Sequence, residues 1–158
     1  MLTNIKHGKI DLSCIADGGF KPYKDGKIWS DELNRAFKTY REIFIPAGRY
    51  YVDRSLIVPS DTKIYADEHA EIILTKGTGT LLLRNESVID GSDYKIPDAA
   101  PCDENISVCG GIWGEENEER LGYGVSGRFD ENDTYHGVST CFLFSGVRGL
   151  TLKNLVFR

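Results

Sequence analysis

The sequence predicts an all-β fold, a parallel solenoid that one α-helix covers at its N-terminal end. Three observations lead to this prediction. One segment alone has helical periodicity, and short strands rich in β-branched residues alternate with turn residues elsewhere. In addition, similar short sequence patterns, which we call phrases, recur along the chain. The chain has 158 residues, of which 41% are hydrophobic and 27% charged, so a single domain with its own core is expected.

The helix is expected at about residues 30–41. Ser30 suits an N-cap, and Asp31 and Glu32 suit the positive end of the helix dipole. Apolar residues then repeat along one face: Leu33, Ala36, Phe37 and Tyr40. We expect this face to cover the first coil, whose apolar side chains and backbone groups need a cap, so residues 1–48 are predicted to form an N-terminal cap.

Residues 49–158 are predicted to form the first coils. Short strands rich in β-branched and aromatic residues are expected at 50–52, 56–58, 63–65, 71–74, 80–83, 87–89, 106–109, 112–113, 140–144, 150–152 and 155–157. Gly, Asp, Asn and Ser separate them, and a long loop is expected at about 114–137. Strands this short indicate a sandwich, a barrel or a solenoid.

The spacing of similar phrases favours the solenoid. Ile64, Val88, Val108 and Leu152 each begin such a phrase, at intervals of 24, 20 and 44 residues. At identical offsets, Ser107, Val108, Ile112 and Trp113 match Thr151, Leu152, Val156 and Phe157. A repeat of about twenty residues is typical of stacked coils, because each coil buries its apolar side chains against its neighbours. Chance similarity within a β-sandwich is the alternative.

The sequence ends at Arg158, directly after the apolar residues 155–157, and no helix or charged segment is available to cover them. We therefore expect the solenoid to be truncated at its C-terminal end. Either further coils follow in the natural protein, or this open coil associates end to end with another copy.

The net charge of -5 and the lack of long apolar runs limit the classes of partner. Neither nucleic acid nor a membrane is expected as a partner, because a basic patch and a spanning segment are both missing. As written, the sequence lacks a signal peptide and predicts a cytoplasmic protein. If a leader precedes it in the natural protein, a secreted or periplasmic location is expected instead.

The four cysteines do not have the spacing of a zinc site. Free buried thiols are the favoured interpretation for Cys14, Cys102, Cys109 and Cys141. A disulfide between Cys109 and Cys141 is the alternative if their strands stack.

Several segments resemble the pectate-lyase-like superfamily of right-handed parallel β-helix proteins, and most closely glycoside hydrolase family twenty-eight, the polygalacturonases. The opening with Asp17, Gly18 and Gly19, then Asp25, Gly26 and the helix, resembles the start of the superfamily. Residues 45–74 resemble the start of the polygalacturonases, residues 105–113 their glycine-rich coil, and residues 142–155 the coil before the active site. One departure is the insertion of residues 21–24 into the usual Gly-Asp-Gly loop.

This resemblance implies an enzyme that hydrolyses glycosidic bonds in pectin-like polysaccharide with inversion of configuration. The family's aspartates lie in Asn-Thr-Asp, Asp-Asp and Gly-His-Gly motifs that an Arg-Ile-Lys segment follows, and this sequence contains none of the four. No catalytic residue is therefore assigned, and this chain by itself is expected to be inactive. The alternatives are a non-catalytic β-helix used for carbohydrate binding or assembly, as in adhesins and tailspikes, and a polysaccharide lyase.

The loop at 114–137 holds the candidate substrate-binding residues. Arg128 and His136 could meet the carboxylate of a uronic acid, and Tyr123 or Tyr135 could stack on a sugar face. Trp113 could also stack, but its match to Phe157 favours a place in the core.

The same loop is rich in acidic residues, so other functions are open to it. Asp130 or Asp133 with His136 could form an acid–base pair, and the carboxylates together could hold calcium. A solvated loop of like charges is the favoured interpretation. No cofactor or metal is expected.

Overall fold

The computed structural model describes residues 6–15, 19–76, 78, 80–88, 102–116, 128–129, 135–136 and 141–158. Among them is one α-helix, α1, at Ser30–Thr39, and a single 3-10 turn at Leu12–Cys14. The strands are β1 (His7–Asp11), β2 (Pro22–Tyr23), β3 (Gly26–Lys27), β4 (Tyr40–Ile45), β5 (Gly48–Val52), β6 (Leu56–Val58), β7 (Lys63–Leu74), β8 (Leu83–Asn85), β9 (Asp103–Glu115), β10 (Arg128–Phe129), β11 (Tyr135–His136), β12 (Phe142–Leu143), β13 (Val147–Lys153) and β14 (Val156–Phe157). The prediction of a mostly β chain with one helix is confirmed.

Parallel pairing dominates the two larger sheets. The first has the order β1-β4-β7-β9-β13, with β5 paired to β7 and β14 paired to β9. The second has the order β12-β8-β6. Two antiparallel hairpins, β2–β3 and β10–β11, complete the described strands. Segment 1–48 contributes β1 and β4 to the first sheet, as well as α1.

Equivalent positions on successive strands stack into apolar ladders. In the first ladder Ile43 pairs with Ile64, Ile64 with Val108, and Val108 with Leu152. The first three side chains are fully buried. Each such aliphatic side chain contributes roughly 1.5 to 3 kcal/mol through the loss of contact with water.

A second ladder confirms the predicted match between the two later phrases. Tyr50 pairs with Ile72, Ile72 with Trp113, and Trp113 with Phe157. Trp113 is fully buried, as its match to Phe157 predicts, and its indole N–H donates to the Gly110 carbonyl at 2.9 Å. One core cluster joins these ladders to Leu56 and the other buried residues of the second sheet and α1.

Val88 does not belong to the stack, so the predicted intervals of 24 and 20 residues are wrong. It is buried, but it lies in the turn after β8, where its N–H donates to the Asn85 carbonyl at 3.2 Å. Ile64 pairs directly with Val108 instead, and the true intervals from Ile43 are 21, 44 and 44 residues. The two intervals of 44 residues each contain a strand of the second sheet, β8 in the first and β12 in the second.

Helix α1 packs through the predicted face, since Leu33, Ala36 and Phe37 are buried. The N-cap prediction for Ser30 is wrong, because the helix begins at Ser30 and its cap residue is Trp29. The Ser30 hydroxyl instead joins the start of α1 to the residue that follows β5. It donates to Asp53 Oδ1 at 2.7 Å and accepts from the Asp53 N–H at 2.8 Å.

The thiols differ from the prediction in their burial. Cys14 and Cys102 are exposed rather than buried, whereas Cys109 and Cys141 are half-buried. Cys109 and Cys141 are not joined to each other, so the alternative disulfide is not formed. No helix in the described ranges is long and apolar enough to cross a membrane.

Candidate functional site

The candidate residues of the 114–137 loop are only partly described. Arg128 and His136 are direct partners in the β10–β11 hairpin, and Phe129 pairs with Tyr135. The backbone therefore brings three of the four predicted binding residues to one short hairpin. Tyr123 lies outside the described residues.

The candidates for an acid–base pair or a calcium site fall in the same region. Asp130 and Asp133 lie outside the described residues. Within the ranges that the structure describes, no three His, Cys, Asp or Glu side chains are grouped closely enough to hold a metal ion.

A second candidate site lies on the outward face of the first sheet. Side chains alternate across this sheet, so Ile43 and Ile64 point into the core while their neighbours in sequence point outward. An open groove of about 320 Å³ lies over β1, β4 and β7, bordered by outward side chains and by the residues between them. We call this the outer groove; its lining residues are Lys9, Ile10, Asp11, Glu42, Ile43, Phe44 and Tyr65.

Two aromatic side chains form one row of the outer groove. Phe44 on β4 and Tyr65 on β7 are register partners, and they are 40% and 41% exposed. Adjacent strands lie about 4.8 Å apart, so the two side chains leave the sheet side by side. Asp11 precedes them in the same row as the partner of Phe44 on β1.

A row of charged residues runs beside the aromatic row. Glu42 pairs in register with Lys9 on one side and Lys63 on the other. Its carboxylate lies 2.9 Å from Lys9 Nζ and 3.6 Å from Lys63 Nζ. Two ammonium groups thus share one carboxylate along this row.

The ion pairs set the charge state of the row. The hydrogen bond from Lys9, with the charges of Lys9 and Lys63, lowers the pKa of Glu42 despite some desolvation. The same hydrogen bond and charge raise the pKa of Lys9. Glu42 therefore stays ionised at neutral pH, which suits an acceptor of hydrogen bonds and does not suit a general acid.

Two other carboxyl groups, on Asp25 and Glu116, also have a lowered pKa. The hydrogen bond from Tyr51 is the main reason for the lowered pKa of Asp25. Desolvation raises the pKa of Glu116, but hydrogen bonds from Lys24 and Tyr23 outweigh it and leave the pKa lowered. None of these three carboxyl groups has the raised pKa that a glycosidase acid requires.

The outer groove was not among the sequence predictions, although the sequence contains a signal for it. In Glu42, Ile43, Phe44 and Ile45, and again in Lys63, Ile64 and Tyr65, a buried isoleucine alternates with an aromatic residue on the polar face. Single exposed apolar residues are ordinary, whereas contiguous exposed apolar patches mark interaction surfaces. Which strands lie next to each other, and hence that the rings form one row, depends on the fold.

The sequence matches no family model, and no curated protein or solved structure is significantly similar to it.

Proposed function

We propose that this chain forms the first coils of a right-handed parallel β-helix, and that it is the N-terminal part of a glycoside hydrolase resembling polygalacturonases. The substrate would be a pectin-like polysaccharide or its oligosaccharides, cleaved with inversion. The observation that carries the proposal is the register of the first sheet, in which Val108 and Trp113 lie beside Leu152 and Phe157, 44 residues later. Such stacking of like side chains is what a coiled solenoid requires.

The proposal assigns binding and support, rather than bond cleavage, to the described residues. An inverting glycosidase places two carboxyl groups about 6.5 to 9.5 Å apart, and one of them must carry a proton. The lowered pKa values of Asp25, Glu42 and Glu116 do not suit them to that role. The acid and the base would accordingly lie on later coils, consistent with the absence of the family's four motifs from this sequence.

The test uses the complete natural protein that contains this chain, incubated with polygalacturonate. We expect new reducing ends without absorbance from an unsaturated product, and the anomeric configuration of the first product should be inverted in NMR spectra. The 158-residue chain, as a matched control, should release no reducing ends.

Two other outcomes would replace the proposal with its alternatives. Products that carry an unsaturated bond would identify a lyase on the same fold. Binding of polysaccharide without any cleavage by the complete protein would identify a non-catalytic module of the kind used in adhesins and tailspikes.

A further inference from the structure

The outer groove exposes two aromatic rings that the core does not need. Phe44 and Tyr65 are each about two-fifths exposed, while Ile43, Ile45 and Ile64 fill the inward positions of the same strands completely. The exposed part of each ring is not covered by the core, although neighbouring rings in register can also stabilise the sheet. Side by side, the two rings create a continuous apolar strip on an otherwise polar face.

The strip has a polar border that a ligand could use. Lys9, Glu42 and Lys63 run along one side of it, and the Asp11 carboxylate lies at one end of the aromatic row. Ammonium groups donate hydrogen bonds and carboxylates accept them, so both kinds of partner are present. A matching ligand needs an apolar face and hydroxyl groups around its edge, and a pyranose ring has both.

The balance of charge favours a neutral sugar over a uronic acid. The border holds two ammonium groups, on Lys9 and Lys63, and two carboxyl groups, on Asp11 and Glu42. Glu42 lies between the two lysines, and with Asp11 counted the two positive and two negative groups balance, so the groove has no net charge to attract a ligand carboxylate. The volume of about 320 Å³ is at the lower end of the range of small-ligand sites and suits one or two sugar rings at a time.

We propose that the outer groove is a binding site for neutral pyranose oligosaccharides, with Phe44 and Tyr65 as the stacking platform. The site would hold a neutral segment of polysaccharide against the outside of the sheet, away from the catalytic carboxyls expected on later coils. The inference does not depend on hydrolysis, because a non-catalytic module would use the same groove. Failure of one proposal can therefore be distinguished from failure of the other.

The test is calorimetric titration of the 158-residue chain with three neutral tetrasaccharides, from β-1,4-galactan, xylan and cellulose, and with tetragalacturonide. We expect at least one neutral ligand to bind, and 0.5 M salt should change its affinity little; that salt concentration is about three times the physiological value. Tyr65→Ala and Phe44→Ala should each weaken this binding by about tenfold, since each removes one ring from the platform.

Two variants separate stacking from a general loss of structure. Tyr65→Phe keeps the ring and should bind within about twofold of the parent chain. Phe157→Ala removes another exposed ring, 53% exposed on β14 outside the groove, and should leave binding unchanged. Equal thermal stability of Tyr65→Ala and Tyr65→Phe would show that the fold is intact.

Two results would overturn the proposal. The first is that none of the neutral tetrasaccharides binds at millimolar concentration. The second is that tetragalacturonide alone binds and that salt abolishes its binding, because the charged row rather than the aromatic platform would then be the recognition element.

Discussion

Asn85 holds three segments of the chain together inside the protein. Its side chain is completely buried, and its Nδ2 donates to Asp103 Oδ2 at 2.6 Å and to the Ser145 carbonyl at 2.9 Å. Its Oδ1 accepts the Ser145 N–H at 2.9 Å. Asp103 also accepts from the Ser87 N–H at 2.9 Å and the Ser60 hydroxyl at 3.3 Å. Because Asn85 and Asp103 are buried, these hydrogen bonds replace those that water would make with the polar groups of the turns.

Replacing Asn85 with alanine should therefore lower the free energy of unfolding by about 2 to 3 kcal/mol, because Asp103 and Ser145 each lose hydrogen bonds to a buried side chain. Urea denaturation followed by circular dichroism measures this change. Asn154→Gly is the control: it removes an exposed amide at a positive φ of 54° that glycine tolerates, and it should change stability by less than about 0.5 kcal/mol. Equal effects of the two substitutions would contradict the structural role of Asn85.

The roles of single polar residues were difficult to predict from sequence. Ser30 stands where an N-cap is expected, yet its hydroxyl bonds to Asp53, which is 23 residues away. Asn85 lies in a segment with no recognised motif. The partners of both residues come from other strands or turns, so local sequence contains no information about them.

At the scale of elements, β7 and β9 are long strands that each pair with three others. The first part of β7 pairs with β4 and the second part with β5, and the register between β7 and β9 shifts between Ala66 and Glu71. Gly110 lies at this point of β9 with a φ of +78°. A Cβ on Gly110 would lie 2.1 Å from the Ala66 carbonyl oxygen, so the two strands approach too closely for any side chain there.

We expect Gly110→Ala to destabilise the chain by more than about 2 kcal/mol, since a positive φ and a clash with backbone both oppose the new methyl group. The change can be measured as a lower midpoint in thermal or urea denaturation. Gly8→Ala on β1 is the matched control: no atom lies within 4 Å of its Cβ position, so stability should stay within about 0.5 kcal/mol. If Gly110→Ala lowers stability no more than Gly8→Ala does, the close approach of Gly110 to the Ala66 carbonyl is contradicted.

Helices and strands were predicted most accurately where the apolar residues repeat with a clear period. Helix α1 and the strands at Leu56–Val58 and Val156–Phe157 lie where the sequence places them, within a residue or two at each end. The strands expected at 63–65 and 71–74 are one strand, Lys63–Leu74, and those at 106–109 and 112–113 are also one, Asp103–Glu115. Exposed residues interrupt the apolar pattern of β7, and Gly110 and Gly111 interrupt that of β9, although each is one strand in the structure.

At the scale of the whole molecule, the ladders end on a surface that is still apolar. Four side chains on β13 and β14 are between 37% and 53% exposed: Leu150, Leu152, Val156 and Phe157. Among the described residues, no strand pairs with the outer edge of β13 or β14. In the preceding strand, Ile106, Val108 and Trp113 occupy the equivalent positions and are fully buried. That another coil or another copy covers this surface stays a prediction.

Stability should decline in alkali because burial disfavours two ionised groups. Desolvation raises the pKa of Tyr50 from 10.0 to about 12 and that of Cys141 from 9.0 to about 12. Both raised values mean that the neutral forms stabilise the folded state, fully below the unfolded pKa, and that this contribution is lost as pH rises toward 12. The unfolding free energy should therefore begin to fall above pH 9 and fall more steeply above pH 10.

Urea denaturation at several pH values between 8 and 11 tests this expectation; the range spans the unfolded pKa values of 9.0 and 10.0. Tyr50→Phe should flatten the profile above pH 10, and Cys141→Ala should flatten the part that begins at pH 9. The comparison uses slopes, because Tyr50→Phe also removes a 2.9 Å hydrogen bond to the Pro46 carbonyl. Identical slopes in the parent chain and both variants would contradict the assignment.

The sequence by itself determined the mostly β composition, the helix with its buried face, and the match of Val108 and Trp113 to Leu152 and Phe157. The composition and the helix follow from the periodicity of neighbouring residues. The match follows from similar residues at equal offsets in two segments, so both kinds of feature can be recognised in the sequence alone. Only the tertiary structure decided that Ile64 stacks on Val108 rather than on Val88, and that Phe44 and Tyr65 stand side by side in the outer groove. Parallel strands pair across turns and loops of unequal length, so register is fixed by packing and hydrogen bonding between segments distant in sequence.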